Sequence, residues 1–443
     1  MTLVTLVTLV TLVTLVTLVT LIMAKFYIQS VKRVGALCWL AVSFLLATHP
    51  AWATQNNSDS SIRTRVVPLV FSNDNTGIAY GLGGVSLGVG QPQAALFALG
   101  FTSKNDSKAI TVGAVNYKLP HVKRWYFSGF FYGSDMPQYG YFINDMPGYA
   151  VRGNDSPFEL QRTGVNTLTK RLQARWVLPI GAAKDPGFSL TRRPILPEQP
   201  QLSPTTHPEQ SGISSLRFEW EQQSRDFIEP SKTSETGADV FRTKLDWDNT
   251  GSRLIPASGS RARISTSWGK NHENHKRWRL YEASVSGFFK LPVKSAWAKQ
   301  QVVALNLSLA DTPTWNDDAG QARPPDYLGA RLGGLSRLRG YRASRFFDRS
   351  AWVYRAEYRL IPQWQPLTRF ADKLGYRIPW WQFALFADMG RVAPSFNLAR
   401  FHEDMKTTAG AGVRILAEGL LIRVDFAYSD EEFLSAVIID QAF

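Results

Sequence analysis

Cysteine is nearly absent from this chain of 443 residues, where it occurs only as Cys38. Cys38 lies in an apolar segment that we expect to be removed on export, so the mature chain has no disulfide bond. Leu37, rather than a small residue, precedes it, which argues against a lipoprotein anchor. The mature protein must therefore be stabilised by hydrogen bonding and packing alone.

Long apolar runs are also missing after residue 53, which excludes a bundle of membrane-spanning helices. The chain has 6 histidines, which leaves few general bases. His272 and His275 are three residues apart, but no third ligand lies near them in the sequence. The glycine-rich stretch 81–90 lacks the following helix and the lysine of a phosphate-binding loop. We therefore expect no catalytic residue, no metal and no cofactor.

Acidic residues are outnumbered, because 50 lysines and arginines stand against 36 aspartates and glutamates, for a formal charge of +14. In a soluble secreted protein this excess would suggest nucleic acid or an acidic polysaccharide as the ligand. Aromatic residues make up 12% of the chain, however, and they are scattered along it. A basic, aromatic-rich, exported chain without spanning helices is typical of a β-barrel in a Gram-negative outer membrane. Its partners are then membrane lipid and anionic lipopolysaccharide, and we expect no nucleic-acid partner.

The first 22 residues repeat Thr-Leu-Val, and this period of three matches neither a helix face nor a strand face. We interpret residues 1–22 as a translated DNA repeat upstream of a true start at Met23. The alternative is a membrane helix, for which this apolar length would just suffice.

Residues 23–53 have the three parts of a secretory signal peptide. A basic segment comes first, an apolar core follows, and Ala51-Trp52-Ala53 forms a small-x-small cleavage site. We therefore predict cleavage after Ala53, a short linker over 54–63 and one barrel domain over 64–443.

Alternation of apolar and polar side chains predicts the fold. In residues 351–362 the aromatic and aliphatic side chains share one face, while Arg355, Glu357 and Arg359 share the other. Residues 381–391, 407–415 and 420–428 repeat this separation. A soluble sandwich with one wet face gives a similar pattern, but the apolar sides of these strands lack charges apart from Arg391 at a strand end, which suits lipid better.

The pattern predicts an all-β chain that forms a single transmembrane antiparallel β-barrel. Between 14 and 16 strands can be counted along the sequence, and 16 is the number we expect. Barrels of this kind in bacteria have an even number of strands and both termini in the periplasm.

Four motifs resemble the barrel of the outer-membrane assembly superfamily: LGGLSRLRGY, FFDRSAWVYRAEYRLIP, FALFADMGRVA and TAGAGVRILAEGLLIRVDFAY. This superfamily includes the β-barrel assembly and translocation-assembly proteins, the two-partner secretion translocators and the bacterial surface antigens. Asp248, Pro256 and Gly259 match its periplasmic turn motif. The resemblance covers 246–443 with specific motifs and extends to 64–245 by strand pattern and length. It implies sixteen strands.

The resemblance also implies that the long loop at about 312–350 folds back into the barrel lumen. Its Arg339-Gly340-Tyr341 tip would be held there by acidic residues on the next two strands, which are Glu357 and Asp388. The alternation places both acids on the interior face without reference to the family. The alternative is that Arg339 belongs to a solvated basic loop together with the five other arginines of residues 331–350.

The function implied by the resemblance is to aid the insertion or translocation of a client, either an outer-membrane protein or a secreted protein. Lateral opening would occur at a weak seam between a first strand near 64–71, which contains Pro68, and a last strand at 434–443. Strand patterns begin near Thr64, so we expect no periplasmic receptor (POTRA) domains ahead of the barrel, and a separate periplasmic partner would deliver the client. The alternatives are a passive pore or surface antigen with no client, and an outer-membrane enzyme.

Overall fold

The computed structural model describes residues 63–73, 75–142, 151–188, 190, 207–228, 233–252, 255–292, 296–315, 322–368, 378–417 and 420–439. The Thr-Leu-Val repeat, the signal peptide with Cys38 and most of the linker lie outside these residues. No helix in the described ranges is both long enough and apolar enough to span a bilayer.

Sixteen strands of the described chain form one antiparallel sheet, as the sequence predicts. They are β1 (Arg63–Asn73), β2 (Gly77–Leu87), β3 (Ala95–Ser103), β4 (Lys108–Tyr117), β5 (Trp125–Phe142), β6 (Leu160–Val177), β7 (Ile213–Ile228), β8 (Thr233–Asp248), β9 (Gly259–Asn271), β10 (Arg277–Lys290), β11 (Ala298–Asp311), β14 (Ser350–Pro362), β15 (Trp380–Ala393), β16 (Lys406–Ala417), β17 (Leu420–Tyr428) and β18 (Phe433–Ile439). Two short strands, β12 (Arg331–Leu332) and β13 (Phe346–Phe347), pair with each other inside the loop between β11 and β14.

Each barrel strand pairs with the next one along the chain, so the sheet is a meander that curls into a nearly closed barrel. The strand number is even, and the start of β1 therefore lies at the same end as the end of β18. The turn between β8 and β9 belongs to that end as well, whereas the loop between β11 and β14 leaves from the opposite end. Because bacterial barrels keep their termini in the periplasm, the first end is periplasmic and the second extracellular.

The outer surface of the barrel is apolar, as the alternation predicts. On β15, Phe383, Leu385 and Met389 are exposed, whereas Gln382 and Asp388 are buried. A ladder of aromatic rings also crosses the outer face of β5 to β9, with neighbouring centroids between 6.0 and 6.5 Å apart: Trp176, Trp125, Phe218, Phe241 and Trp268. An antiparallel barrel with an apolar outside and a charged inside is the architecture of an outer-membrane barrel.

The loop between β11 and β14 fills part of the lumen. Tyr327, Leu332 and Phe346 of the loop belong to one buried cluster with wall residues such as Trp278 of β10 and Val353 of β14. The loop is therefore packed as a core inside the barrel, and its position brings the arginine tip against the interior wall.

Candidate functional site in the barrel lumen

Arg339 lies at the tip of the inward loop and reaches both acids that the sequence pairs with it. Its Nε and Nη2 donate hydrogen bonds to Asp388 at 2.8 and 2.6 Å, and its backbone N–H donates to the same carboxylate at 3.1 Å. Its Nη1 donates to Glu357 at 2.5 Å. The Phe386 ring packs on the guanidinium, 3.6 Å from Cζ to the ring centroid. The side chains of Arg339, Glu357 and Asp388 are at most 2% exposed, so this arginine is not part of a solvated surface loop.

Glu357, on β14, is shared by three arginines. Its Oε1 accepts from Arg339 and, at 3.0 Å, from Arg414 of β16. Its Oε2 accepts from Nε of Arg359 at 2.7 Å and lies 2.7 Å from Nη2 of the same side chain. One carboxylate thus connects the loop tip to two strands of the wall.

Asp425 and Arg423, both on β17, extend this network beyond the residues that the sequence pairs with Arg339. Asp425 lies 3.6 Å from Nη1 of Arg339 and 3.2 Å from Nε of Arg423. Arg423 also donates to the loop carbonyl of Leu335 at 2.6 Å. Seven buried residues make up what we call the arginine cluster: Arg339, Glu357, Arg359, Asp388, Arg414, Arg423 and Asp425.

Gly340 lets the loop tip approach the wall of the barrel closely. A Cβ on Gly340 would lie 2.8 Å from the backbone oxygen of Tyr428, so glycine is required for the close approach of the tip to the end of β17. The left-handed backbone of the tip occurs instead at Leu338, with φ of 62°.

Tyr341 begins a second set of contacts, made with the turn between β17 and β18. Its hydroxyl donates a hydrogen bond to Asp430. Burial alone would raise the pKa of the Asp430 carboxyl, but the hydrogen bond from Tyr341 and the nearby Lys406 ammonium together lower that pKa below its ordinary value.

Arginines of the loop bind the other acids of this turn. Arg342 holds Glu432 with its Nε and Nη2, both at 2.7 Å, and Arg345 lies 2.7 Å from Glu431. Ser429 donates its hydroxyl to the Gly340 carbonyl at 2.8 Å. We call residues 429–432 the acidic turn. It fixes the loop to the hairpin that ends in the last barrel strand.

Two signals in the sequence point to these additional partners, although neither identifies them. Alternation places Arg359, Arg414 and Asp425 on the interior face, and the run Ser-Asp-Glu-Glu at 429–432 is the natural complement of an arginine-rich loop. Most such runs are solvated turns, however, and nothing in the sequence shows that the loop crosses from β11 and β14 to this turn between β17 and β18.

The residues of the periplasmic turn motif, Asp248, Pro256 and Gly259, lie between the end of β8 and the start of β9. Asp248 accepts hydrogen bonds from the backbone N–H and the hydroxyl of Thr250 at 2.9 and 2.6 Å. Gly259 has φ of +96°, and a Cβ there would lie 2.1 Å from the Asn249 carbonyl oxygen, so the turn requires glycine. Pro256, which lies between Asp248 and Gly259 in the sequence, is also buried.

The histidines singled out in the sequence lie at the hairpin between β9 and β10. His272 is 3.7 Å from Glu235 and 3.5 Å from Asp239, both side chains of β8. In the described ranges no three histidine, cysteine or acidic side chains are grouped so that they could hold a metal ion. The spacing Gly-x-Ser-x-Gly, familiar from hydrolases, occurs at 84–88, but Ser86 lies within β2 and bonds to the Thr64 hydroxyl at 2.5 Å rather than to a histidine.

Neither a protein-family model nor a curated protein sequence matches the chain. Among solved structures, CdiB from Escherichia coli is similar, with a TM-score of 0.51 and 11% identity over 87% of this chain and 64% of that one. CdiB from Acinetobacter baumannii has a TM-score of 0.47 and 11% identity, over 86% of this chain and 65% of that one. BamA from Haemophilus ducreyi lacking POTRA domains 1–3 has a TM-score of 0.47 and 13% identity, over 86% and 70%. The chain shares the barrel fold of Escherichia coli CdiB and spans about two thirds of its length.

Proposed function

We propose that this barrel aids the insertion or secretion of other proteins at the outer membrane. The observation that carries the proposal is the loop tip, which enters the lumen and places Arg339 between Glu357 and Asp388. In a passive barrel an inward loop would serve only to narrow or plug the lumen. A barrel that opens laterally does need one, because the loop keeps the remaining wall together.

The seam between β1 and β18 supports lateral opening. The two strands lie side by side, yet within the described parts of both strands no hydrogen-bonded ladder joins them. Pro68 of β1 cannot donate a backbone hydrogen bond, and proline is confined to sheet edges for that reason. Within the described parts of the strands, breaking this seam costs fewer hydrogen bonds than separating any other neighbouring pair of barrel strands.

The loop would stabilise the barrel on one side of the seam while the seam opens. Through the acidic turn it holds the β17–β18 hairpin, and through Glu357 and Asp388 it holds β14 and β15. In this scheme β1 moves away from the seam, whereas β18 keeps its position. A client strand or secreted segment would then enter at the opened edge, delivered by a separate periplasmic partner.

Depletion of the protein tests this function. The expected result is a fall in the amount of other outer-membrane barrels or of one secreted protein, restored by the wild-type gene but not by a gene carrying Arg339→Ala. Restoration by Arg279→Ala, which alters an exposed arginine on β10, is the matched control.

Conductance separates the proposal from a passive pore or a surface antigen with no client. A passive pore gives large, steady currents in planar bilayers that do not depend on the loop. Such currents, together with an unchanged outer-membrane composition on depletion, would overturn the proposal.

A further inference from the structure

The extracellular loop between β15 and β16, residues 394–405, folds down over the outer face of the barrel. Phe401 of this loop is fully buried, because its ring stacks on Trp352 of β14 with the two centroids 5.5 Å apart. The lipid-facing side chains of β11 and β14 that pack against this pair are Leu307, Leu309 and Tyr354. We call residues 394–405 the outer flap, since they cover a part of the wall that would otherwise face lipid.

Hydrogen bonds hold the outer flap against the wall. Nδ1 of His402 donates to the Leu398 carbonyl at 2.7 Å, and Nε2 of the same ring accepts from the Tyr354 hydroxyl at 2.9 Å. Arg391 of β15 donates from Nη1 to the Glu403 carbonyl at 2.5 Å. The flap is therefore fixed to the outer surface of the barrel rather than extended into the external medium.

The position of Trp352 on β14 indicates the depth of the flap in the membrane. Trp352 stands ten residues before Pro362, at which β14 ends. That separation is about 33 Å along a strand, and about 25 Å along the membrane normal when the strand is tilted by about 40°. The apolar band of an outer-membrane barrel is about 25 Å tall. Trp352 and the flap above it therefore lie at the outer edge of the band, where aromatic side chains meet lipid headgroups.

The outward side of the flap is apolar. Phe396 is 45% exposed and Leu398 is 56% exposed, although both belong to an extracellular loop. Phe396 also packs edge-on against Phe401, with the centroids 5.5 Å apart, so the exposed side chains continue the apolar surface of the wall. Apolar surface is unfavourable in water and favourable among acyl chains. Lipid is therefore the surrounding that suits this side of the flap.

The charges of the flap are separated along it. Arg400, between the exposed apolar side chains and Phe401, is exposed, and its guanidinium makes no ion pair with any carboxylate of the described residues. The acids Glu403 and Asp404 come at the end that returns to the rim, where the Asp404 carbonyl accepts from Asn154 at 3.0 Å. An unpaired cation beside exposed apolar side chains is typical of interfacial segments that bind anionic lipid.

From these observations we infer that the outer flap is a lipid-binding anchor. Phe396 and Leu398 lie among the acyl chains of the outer leaflet, and Arg400 binds the phosphate of its glycolipid headgroups. The partner is lipid rather than a protein, because the flap lies on a face that the membrane already surrounds and its apolar side continues that face. The inference rests on the membrane position of the barrel and is independent of the proposed function.

The test uses single-cysteine variants of the folded barrel, since Cys38 is the only cysteine of the chain and precedes the predicted cleavage site. Leu398→Cys and Asp404→Cys are labelled with the fluorophore NBD and inserted into phosphatidylcholine vesicles that contain lipid A and a nitroxide-labelled phospholipid. We expect the nitroxide to quench the label of Leu398→Cys at least two-fold, while aqueous iodide does not reach it. The label of Asp404→Cys, the matched control in the same loop, should be quenched by iodide and not by the nitroxide lipid.

A label at Ala399→Cys tests the apolar side chains and the cation separately. Its quenching by the nitroxide lipid should fall at least two-fold when Phe396→Ser and Leu398→Ser are added. Omitting lipid A from the vesicles should also lower the quenching, and Arg400→Gln should give the same low value with and without lipid A. Semi-native gels check that each variant is folded.

Several outcomes overturn the inference. One is a Leu398→Cys label that iodide quenches as strongly as the Asp404→Cys label, and another is an unchanged value at Ala399→Cys in the double-serine variant. Disulfide-linked dimers of unlabelled Leu398→Cys in vesicles would assign the flap to contact between copies of this chain. An Arg400→Gln variant that responds to lipid A as the wild type does would overturn the phosphate contact. If the double-serine variant does not fold, Leu398→Ser alone gives the same comparison with a smaller decrease.

Discussion

The arginine cluster and a second basic region of the lumen, between the interior faces of β6 to β10 and the inward loop, use the same residue type but balance charge differently. In the cluster four arginines share three carboxylates, and all seven side chains are buried. In the second region wall acids hold most of the bases, as Glu219 holds Arg242 and Lys244, whereas Arg225 and Arg331 have neutral hydrogen-bond partners and are only partly buried. Removing an ion from water costs several kcal/mol unless a partner replaces its hydration, so full burial is tolerated only where carboxylates are at hand. Partial burial also tolerates a guanidinium whose partners are neutral.

The largest expected effect comes from Glu357→Gln, because this one change leaves three buried arginines without their shared carboxylate. Breaking a buried ion pair costs about 3–5 kcal/mol, and we expect a loss of stability of about 5 kcal/mol here. The measurement is the temperature at which the folded band is lost on semi-native gels. Glu403→Gln, at an exposed site, should leave that temperature unchanged.

Arg339→Ala should destabilise the barrel by about 3 kcal/mol, since Glu357 retains two other arginines while Asp388 loses its bidentate partner. This loss of stability is measured on the same semi-native gels, with Arg279→Ala as the matched control. Combining Arg339→Ala with Asp388→Ala should cost less than the two single changes added together, because each removes the same interaction. Strict additivity would show that the two side chains are not coupled.

A smaller effect is expected at the acidic turn on acidification. The pKa of Asp430 in the folded protein is below its ordinary value of 3.8, so the contact with Tyr341 stabilises the fold fully above that value. The stabilisation is lost as pH falls through the lowered pKa. Asp430 is largely exposed, so we expect less than about 1 kcal/mol. Tyr341→Phe should remove this part of the pH dependence of unfolding, and an unchanged profile would contradict it.

The smallest expected effect concerns the two arginines that have neutral partners. Replacing both Arg225 and Arg331 by glutamine should change stability by less than about 0.5 kcal/mol, because no ion pair is broken and like charges are removed. Semi-native gels at two salt concentrations would measure it. A loss comparable with that of Arg339→Ala would mean that Arg225 and Arg331 belong to the structural framework of the barrel.

Much of the fold can be predicted from alternation. Arg355, Glu357 and Arg359 stand on one side of a strand whose other side is aromatic, and that separation is the difference between lumen and lipid. The number of strands is harder to obtain, because 158–250 contains a proline-rich stretch and less regular strands. The structure resolves this region into β6, β7 and β8.

The partners of the loop could be predicted only in part. Glu357 and Asp388 lie on the two strands that follow the loop, where motif and parity agree. The acidic turn lies about 90 residues after the tip, and its contacts with Tyr341, Arg342 and Arg345 depend on the loop's path across the barrel. Arg414 and Arg423 are neighbours only through the register of β16 on β17.

The sequence by itself determined which side chains face the lumen and which face lipid, because a strand repeats every two residues whatever its neighbours are. Only the tertiary structure decided which arginines meet carboxylates and which meet neutral partners. That outcome depends on distances between strands and a loop far apart in the chain, and a difference of a few ångströms there determines whether a guanidinium meets a carboxylate or a cavity.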